Sequence, residues 1–376
     1  MTLEFRYAGT DEYGKISRFL DEHWAKDHVY VRSPRLFEWT FARTDLLEHD
    51  GYSVILAEDK GRLIGILGTI PFRFNLLGRS LRGAWLANYV VRAEYRRGPA
   101  ALQLLGVLRQ SPYNTTIAFG VNPGIAAIYR VLRWHVLEEI PRNVIVLPKA
   151  EGRMTALLRL ANPDWSIDRA TVVARRFTIT EVPSISARAY DTLPADWDDH
   201  WAQFATRTVG AARDHHYLSW RYLHHPVFSY RFIVIPDGEH AGLAVWRLET
   251  ILRATPQGRT EIDRFGRLVE FLPTSRRNAE ALLVRFLCEL TEADAVGADY
   301  YGFHGEMRMW LEEFGFCGVA NHPDGHRIPS RFQPLDDKGG RILSAVFARD
   351  GAPPCSIEPH CVWYWTKSDA DQDRPN

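Results

Sequence analysis

Apolar residues run almost unbroken from Ala84 to Val91, without the 3.6-residue period of an amphipathic helix. Residues 84–91 are therefore predicted to form a buried strand. The run is broken by Arg96-Arg97-Gly98-Pro99, with Pro99 where a helix takes its first residue. Residues 100–108 read as a helix with Leu102, Leu105 and Leu108 on one face. Ile117-Ala118-Phe119 predicts a second short strand, Asn122-Pro123-Gly124 a turn, and residues 125–133 a second helix. A glycine turn opening a helix straight after a strand presents free backbone N–H groups and the positive end of a helix dipole. Such a turn is an anion site suited to phosphate.

The flanking pattern extends this unit. Residues 3–7 predict a strand, and residues 11–24 an amphipathic helix carrying Ile16, Phe19, Leu20 and Trp24. Residues 34–43 predict a helix capped by Ser33. Residues 52–57 and 62–74 predict a strand pair turning at Asp59-Lys60-Gly61, and residues 136–147 one or two further strands. The Pro-bounded segment 150–165 is taken as a connector. The pattern then repeats. Tyr217-Leu218-Ser219-Trp220-Arg221-Tyr222 matches Phe37-Glu38-Trp39-Thr40-Phe41, Arg276-Arg277 with Ala281-Leu282 matches Arg96-Arg97 with Ala101-Leu102, and residues 311–316 match 129–134. Near-constant spacing across separate blocks predicts a tandem repeat of one mixed α/β domain. The expected division is 1–149, connector 150–165, 166–350, and a tail 351–376.

Residues 91–102, then Asn122 and Tyr129-Arg130-Val131-Leu132-Arg133-Trp134, resemble the two signature motifs of the GCN5-related N-acetyltransferase (GNAT) superfamily. The turn is one residue shorter than the family's pattern, and Arg133 stands where the family has glycine. The resemblance implies an α/β (α+β) fold of two tandem domains, each a mixed, mostly antiparallel sheet flanked by helices. It implies a site as well. Arg96, Arg97, Gly98, Pro99 and Ala100 would hold the coenzyme A pyrophosphate. The strand from Asn88, through Tyr89, Val90 and Val91, would lend main-chain groups to the pantetheine arm, one N–H serving as oxyanion donor. Tyr129 would protonate the departing sulfur. Asn122 would orient the pantetheine or a relay water, or serve only as a helix cap. Asn88 itself reads equally as a hydrogen-bonded core residue or an acceptor contact.

The second copy has Asn278 for Gly98, Leu311 for Tyr129 and His304 for Asn122. Asparagine cannot give the close backbone approach of glycine, and leucine has no proton to donate. Acyl-CoA is thus expected on the N-terminal copy. The C-terminal copy would support the fold and line the acceptor pocket, with His304 as acceptor contact or base.

Equal numbers of basic and acidic residues, 46 each, argue against a nucleic-acid partner. Cys288, Cys317, Cys355 and Cys361 fit no common zinc spacing and read as reduced thiols. The His215-His216 and His224-His225 pairs read as solvated helix ends, and no metal is expected. No apolar leader or membrane span is evident, so a cytoplasmic protein is expected. The acidic tail holding Asp369, Asp371 and Asp373 reads as a solvated end, preceded by a docking strand at Trp363-Tyr364-Trp365. A docked tail would instead meet the acceptor's amine or sugar hydroxyls. Tandem GNAT chains of this length resemble enzymes that acylate nucleotide-linked amino sugars for surface polysaccharide, mycothiol synthase and Fem-type ligases. The expected function is transfer of an acyl group from acetyl-CoA or another acyl-CoA to a small-molecule amine. A Fem-like aminoacyl transferase and a non-catalytic acyl-CoA-binding protein are the alternatives.

Overall fold

Each half of the chain builds the same run of elements and gives its last strand to the other half. The computed structural model describes residues 3–43, 45–47, 49–137, 139–184, 187–335, 341–349 and 362–375; Cys355 and Cys361 lie outside them. The first half comprises β1 (Leu3–Ala8), α1 (Tyr13–His23), α2 (Val29–Arg32), α3 (Pro34–Phe41), β2 (Tyr52–Asp59), β3 (Arg62–Leu76) and β4 (Arg79–Val91). It continues with α4 (Ala100–Gln110), β5 (Thr115–Phe119), α5 (Pro123–Val131), β6 (His135–Leu137) and β7 (Arg142–Val146). The segment expected as a connector carries α6 (Glu151–Ala161). It is followed by α7 (Ile167–Phe177), α8 (Trp197–Ala205), β8 (Val209–Ala211) and α9 (His215–Leu218). The second half repeats the order with β9 (Arg231–Asp237), β10 (His240–Thr255), β11 (Gly258–Leu272), α10 (Arg276–Glu292), β12 (Gly297–Tyr301), α11 (Gly305–Phe314), β13 (Cys317–Gly318) and β14 (Ser344–Ala348), before a final β15 (Trp363–Tyr364).

Local signals place several of these elements. The Ser33 hydroxyl accepts the Leu36 N–H at 3.3 Å and Pro34 opens α3, a standard helix start. Lys60 and Gly61 both have positive φ, as a tight hairpin between β2 and β3 requires. The inner face of α4 is Leu104, Leu105 and Leu108; Leu102, predicted to share it, is half-exposed.

The strands form a larger sheet ordered β1-β2-β3-β4-β5-β14-β6, extended by β8 and β15, and a smaller one ordered β13-β7-β12-β11-β10-β9. The stretch predicted as one or two strands therefore splits between sheets. β14 pairs antiparallel with β5 and β6, while β7 pairs antiparallel with β12 and β13. The halves meet at stacked indoles. Trp39 and Trp220, 181 residues apart, lie 4.7 Å between centroids, and each Nε1–H donates to the other's main-chain carbonyl, at 3.1 and 3.2 Å. Such reciprocal contacts are what an internal two-fold axis generates.

The tail is buried, correcting the solvated reading. β15 pairs in parallel with β8, and Trp363, Tyr364 and Trp365 are fully enclosed. Each following carboxylate meets an arginine: Asp369 with Arg213 at 2.8 Å, Asp373 with Arg247 at 2.7 Å, and Asp371 with Arg374. With these charges matched inside the protein, the tail is not a free acidic surface for an acceptor.

Arg133, the departure from the family's glycine, has φ 62°, and its counterpart Gly315 has φ 116°. A side chain in this left-handed region is strained by about 1 kcal/mol. The substitution Arg133→Gly is expected to raise the melting temperature, measured by calorimetry, by about 1–2 °C.

Candidate functional site

The parallel ladder between β4 and β5 is short, running from Gly83 opposite Thr115 to Leu86 opposite Ala118. β4 continues to Val91 with no β5 partner, so a wedge opens between the strands toward the start of α4. Within it the β3–β4 register slips between Ile66 and Gly68, leaving Asn88 and Tyr89 as a bulge. Asn88 has φ 50°, and its Nδ2 is buried without a partner. Residues 88–91, the predicted pantetheine strand, form this free edge.

At the mouth of the wedge, a short helical turn at Ala93–Tyr95 leads into α4. Gly98 donates its N–H to the Tyr95 carbonyl at 3.0 Å, closing the turn. Pro99 precedes the helix, and no side chain caps it. The first-turn amides of Ala100, Ala101 and Leu102 thus lack a side-chain acceptor, the arrangement that binds an anion. The arginines have separate tasks. Arg96 braces the turn by donating Nε–H to the Val91 carbonyl at 3.0 Å. Arg97 is exposed and makes no hydrogen bond, ion pair or ring contact with the described residues, one residue before Gly98 and the uncapped helix.

Tyr129 lies on α5, buried, edge-on to Trp134 at 4.9 Å. Burial raises its hydroxyl above the ordinary tyrosine range, so it keeps its proton at neutral pH. It lies near Tyr89, whose own hydroxyl donates to the Ala101 carbonyl at 2.6 Å. The wedge therefore gathers Tyr89, Tyr129 and the start of α4. Asn122 caps α5, its Oδ1 accepting the Gly124 N–H at 2.8 Å, and its side chain is exposed.

The second copy has the same wedge, but it is filled. β11 and β12 pair from Gly266 opposite Ala298 to Leu268 opposite Tyr300, and β11 then bulges after a shift at Val245/Trp246. Residues 364–366 of the tail enter the gap. Tyr364 Oη accepts the Phe271 N–H at 3.0 Å and donates to Glu270 at 2.7 Å, and the Trp365 carbonyl accepts the Phe303 N–H at 3.0 Å. The helix start is closed too. Ser275 Oγ accepts the Asn278 N–H at 3.2 Å, and Thr274 and Ser275 donate to Asp237 at 2.6 and 2.8 Å. These hydrogen bonds hold the Asp237 carboxyl below its usual range, and its negative charge repels a phosphate. His304 stands at the start of α11 beside this plug. Its Nε2 meets the Arg207 carbonyl at 3.4 Å, and burial lowers its pKa to about 4. The structure thus places Tyr129 in the open wedge and His304 at the filled one.

A cleft of about 660 Å³ opens at the other ends of β4 and β5, against Arg73, Gly83, Asn114 and Arg349, away from the α4 turn. Among the described residues, no three His, Cys, Asp or Glu side chains gather as a metal site, and no helix is long and apolar enough to cross a membrane.

Residues 4–136 match the sequence profile of the acetyltransferase (GNAT) domain. That match covers the first copy, and the two sheets are consistent with two GNAT-like domains. No curated protein matches it. A GCN5-related N-acetyltransferase from Anabaena variabilis superposes with a TM-score of 0.54 at 11% identity, over 93% of this chain and 73% of that one. A conserved protein of unknown function from Enterococcus faecalis, described as a probable N-acyltransferase, gives 0.55 at 12%, over 93% and 73%. N-myristoyltransferase from Saccharomyces cerevisiae, solved with myristoyl-CoA, gives 0.53 at 12%, over 92% and 79%. At these identities the likeness is one of fold. Acyl-CoA-dependent N-acyl transfer is the activity of GNAT enzymes, and the uncapped turn and open wedge of the first copy suit it.

Sequence reasoning named the turn and Tyr129 as candidates, and in the structure the turn opens α4 and Tyr129 lies buried on α5. It did not foresee the tail in the second wedge or the pairing of Tyr364 with Glu270. The alternating Trp363-Tyr364-Trp365 signalled a docking strand, but nothing local marked its destination.

Proposed function

We propose that this GNAT protein moves an acyl group from acyl-CoA, bound on the first copy, to the amine of a small molecule. The observation that carries the reading is the contrast between the two wedges. One has an uncapped helix start, an unengaged Arg97 and a free strand edge; its twin is filled by Tyr364 and capped by Ser275. In this reading Arg97 and the amides of residues 100–102 hold the pyrophosphate, and Arg96 and Gly98 keep the turn in shape. The edge from Tyr89 to Val91 pairs with the pantetheine arm as an added strand does. Tyr129, kept protonated by burial, gives a proton to the departing sulfur. Asn122 acts through its cap on α5, which carries Tyr129, and His304 shapes the second copy's side of the molecule. The acceptor we favour is an amino sugar carried on a nucleotide.

The test pairs binding with turnover. Coenzyme A at 100 times its Kd is expected to stabilise the protein by about 2.7 kcal/mol in a thermal shift. Gly98→Glu adds a negative charge beside the helix start and a side chain whose Cβ lies 3.3 Å from the Tyr95 carbonyl. Calorimetry is expected to show its affinity for coenzyme A at least about tenfold weaker. Thiol release from acetyl-CoA with a panel of amines and nucleotide amino sugars then identifies the acceptor. Unchanged affinity in Gly98→Glu, or no turnover with any amine, contradicts the reading.

A further inference from the structure

We propose that a small cavity where the two copies and the tail converge is a site for one monatomic anion, chloride or its like, held by Arg221 and His225. The cavity has a volume of about 10 Å³, and its lining includes Trp39 of the first copy, Trp220, Arg221 and His225 of the second, and Asp371 and Arg374 of the tail. That is room for one occupant of about water's size, which leaves a water molecule or a single-atom ion.

Two residues of this lining carry an N–H without an acceptor. Arg221 is 2% exposed, and its Nε–H has no hydrogen-bond partner. His225 is 9% exposed, and its Nδ1 accepts the main-chain N–H groups of Val227 and Phe228 at 3.2 and 2.9 Å. The ring proton therefore sits on Nε2, which is also without a partner. Burial beside Arg221 lowers the pKa of His225 to about 3, so the ring stays neutral in that tautomer. Buried donors nearly always find partners, and two of them on one cavity mark the place of an acceptor.

Charge decides between water and anion. Close by, buried arginines alternate with carboxylates: Arg142, Asp299, Arg267, Glu249, Arg247 and Asp373 follow one another as ion pairs. Asp371, on the cavity, is taken by Arg374, and Asp373 also accepts from Tyr230. Arg221 stands outside these pairs. Asp373 meets it with its main-chain carbonyl, at 3.3 Å, and among the described residues no carboxylate lies within 4.0 Å of its nitrogens. The indole stack supplies a comparison. Arg43 lies 4.0 Å over Trp220 with the Asp45 carboxylate at 3.1 Å; Arg221 lies 5.2 Å over Trp39 and has the cavity where Arg43 has a carboxylate. A buried cation without a counter-charge is costly, and an anion in the cavity supplies one.

The test uses the full chain at constant ionic strength, with chloride replacing gluconate, an ion too large for the cavity. The melting temperature is expected to rise by about 2–4 °C, saturating with chloride, because only the folded protein has the site. Arg221→Gln removes the charge and keeps an N–H for the Asp373 carbonyl, and it should lose the rise. Wild-type crystals grown in bromide give a second measurement that no folding defect in the variant can obscure. An anomalous peak is expected in the cavity, beside Arg221 Nε and His225 Nε2. A melting temperature indifferent to chloride, an equal rise in folded Arg221→Gln, or a cavity that holds only water in bromide each overturns the proposal.

Discussion

Replacing Asp373 by alanine should destabilise the protein by about 3–5 kcal/mol, although the residue lies near the C-terminus, where chains commonly fray. The Asp373 carboxylate accepts from Arg247 Nη2 at 2.7 Å, Arg247 Nε at 3.2 Å and Tyr230 Oη at 2.7 Å. Removing it leaves Arg247, itself buried, with Glu249 at 3.2 Å as its remaining carboxylate among the described residues, one already bound to Arg267. An uncompensated buried cation is among the costliest defects a single substitution makes. A thermal melt should fall by about 5–10 °C, against about 1 °C for a solvated terminal carboxylate. The pH dependence follows in sign. Arg247 and the Tyr230 hydroxyl hold the Asp373 carboxyl far below its usual range. Its contribution is therefore complete at neutral pH, persists down to the unfolded carboxylate's pKa near 4, and is lost as pH falls further. Below that point wild type should lose stability more steeply with acid than Asp373→Ala.

Tyr129→Phe should lower kcat by about 100-fold or more, the range for loss of a positioned proton donor. The ring should keep its edge-on contact with Trp134, so affinity for coenzyme A should stay within about twofold. Because burial raises the hydroxyl's pKa, wild type should show no alkaline loss of kcat from this group below about pH 10. Stopped-flow thiol release, with the amine identified by the panel, separates these effects. Unchanged kcat would leave Tyr129 as a packed ring.

The parts legible in sequence are those encoded locally. The Lys60-Gly61 hairpin, the Ser33 cap and the break at residues 96–99 each depend on a few neighbours and took their predicted form. The Trp39–Trp220 pair was visible as a repeat because one fold fills the same place twice. The exchange of β7 and β14 left no such mark, since a buried strand reads the same whichever sheet receives it. The tail misled for a related reason. Asp369 and Asp373 look like solvent residues until Arg213 and Arg247, far off in sequence, are placed beside them. Leu102 and Leu104 were confused on α4 because that helix is apolar on more than one face. At Asn88 the polar residue among apolar neighbours was evident, but its bulge and unpaired amide belong to the register of β3 against β4.

A crystal structure with coenzyme A tests the central claim most directly. The account predicts the pyrophosphate against the amides of residues 100–102 with Arg97 beside it, and the pantetheine along residues 88–91. Coenzyme A found instead at the Ser275 turn, with residues 364–366 displaced from between β11 and β12, would contradict it.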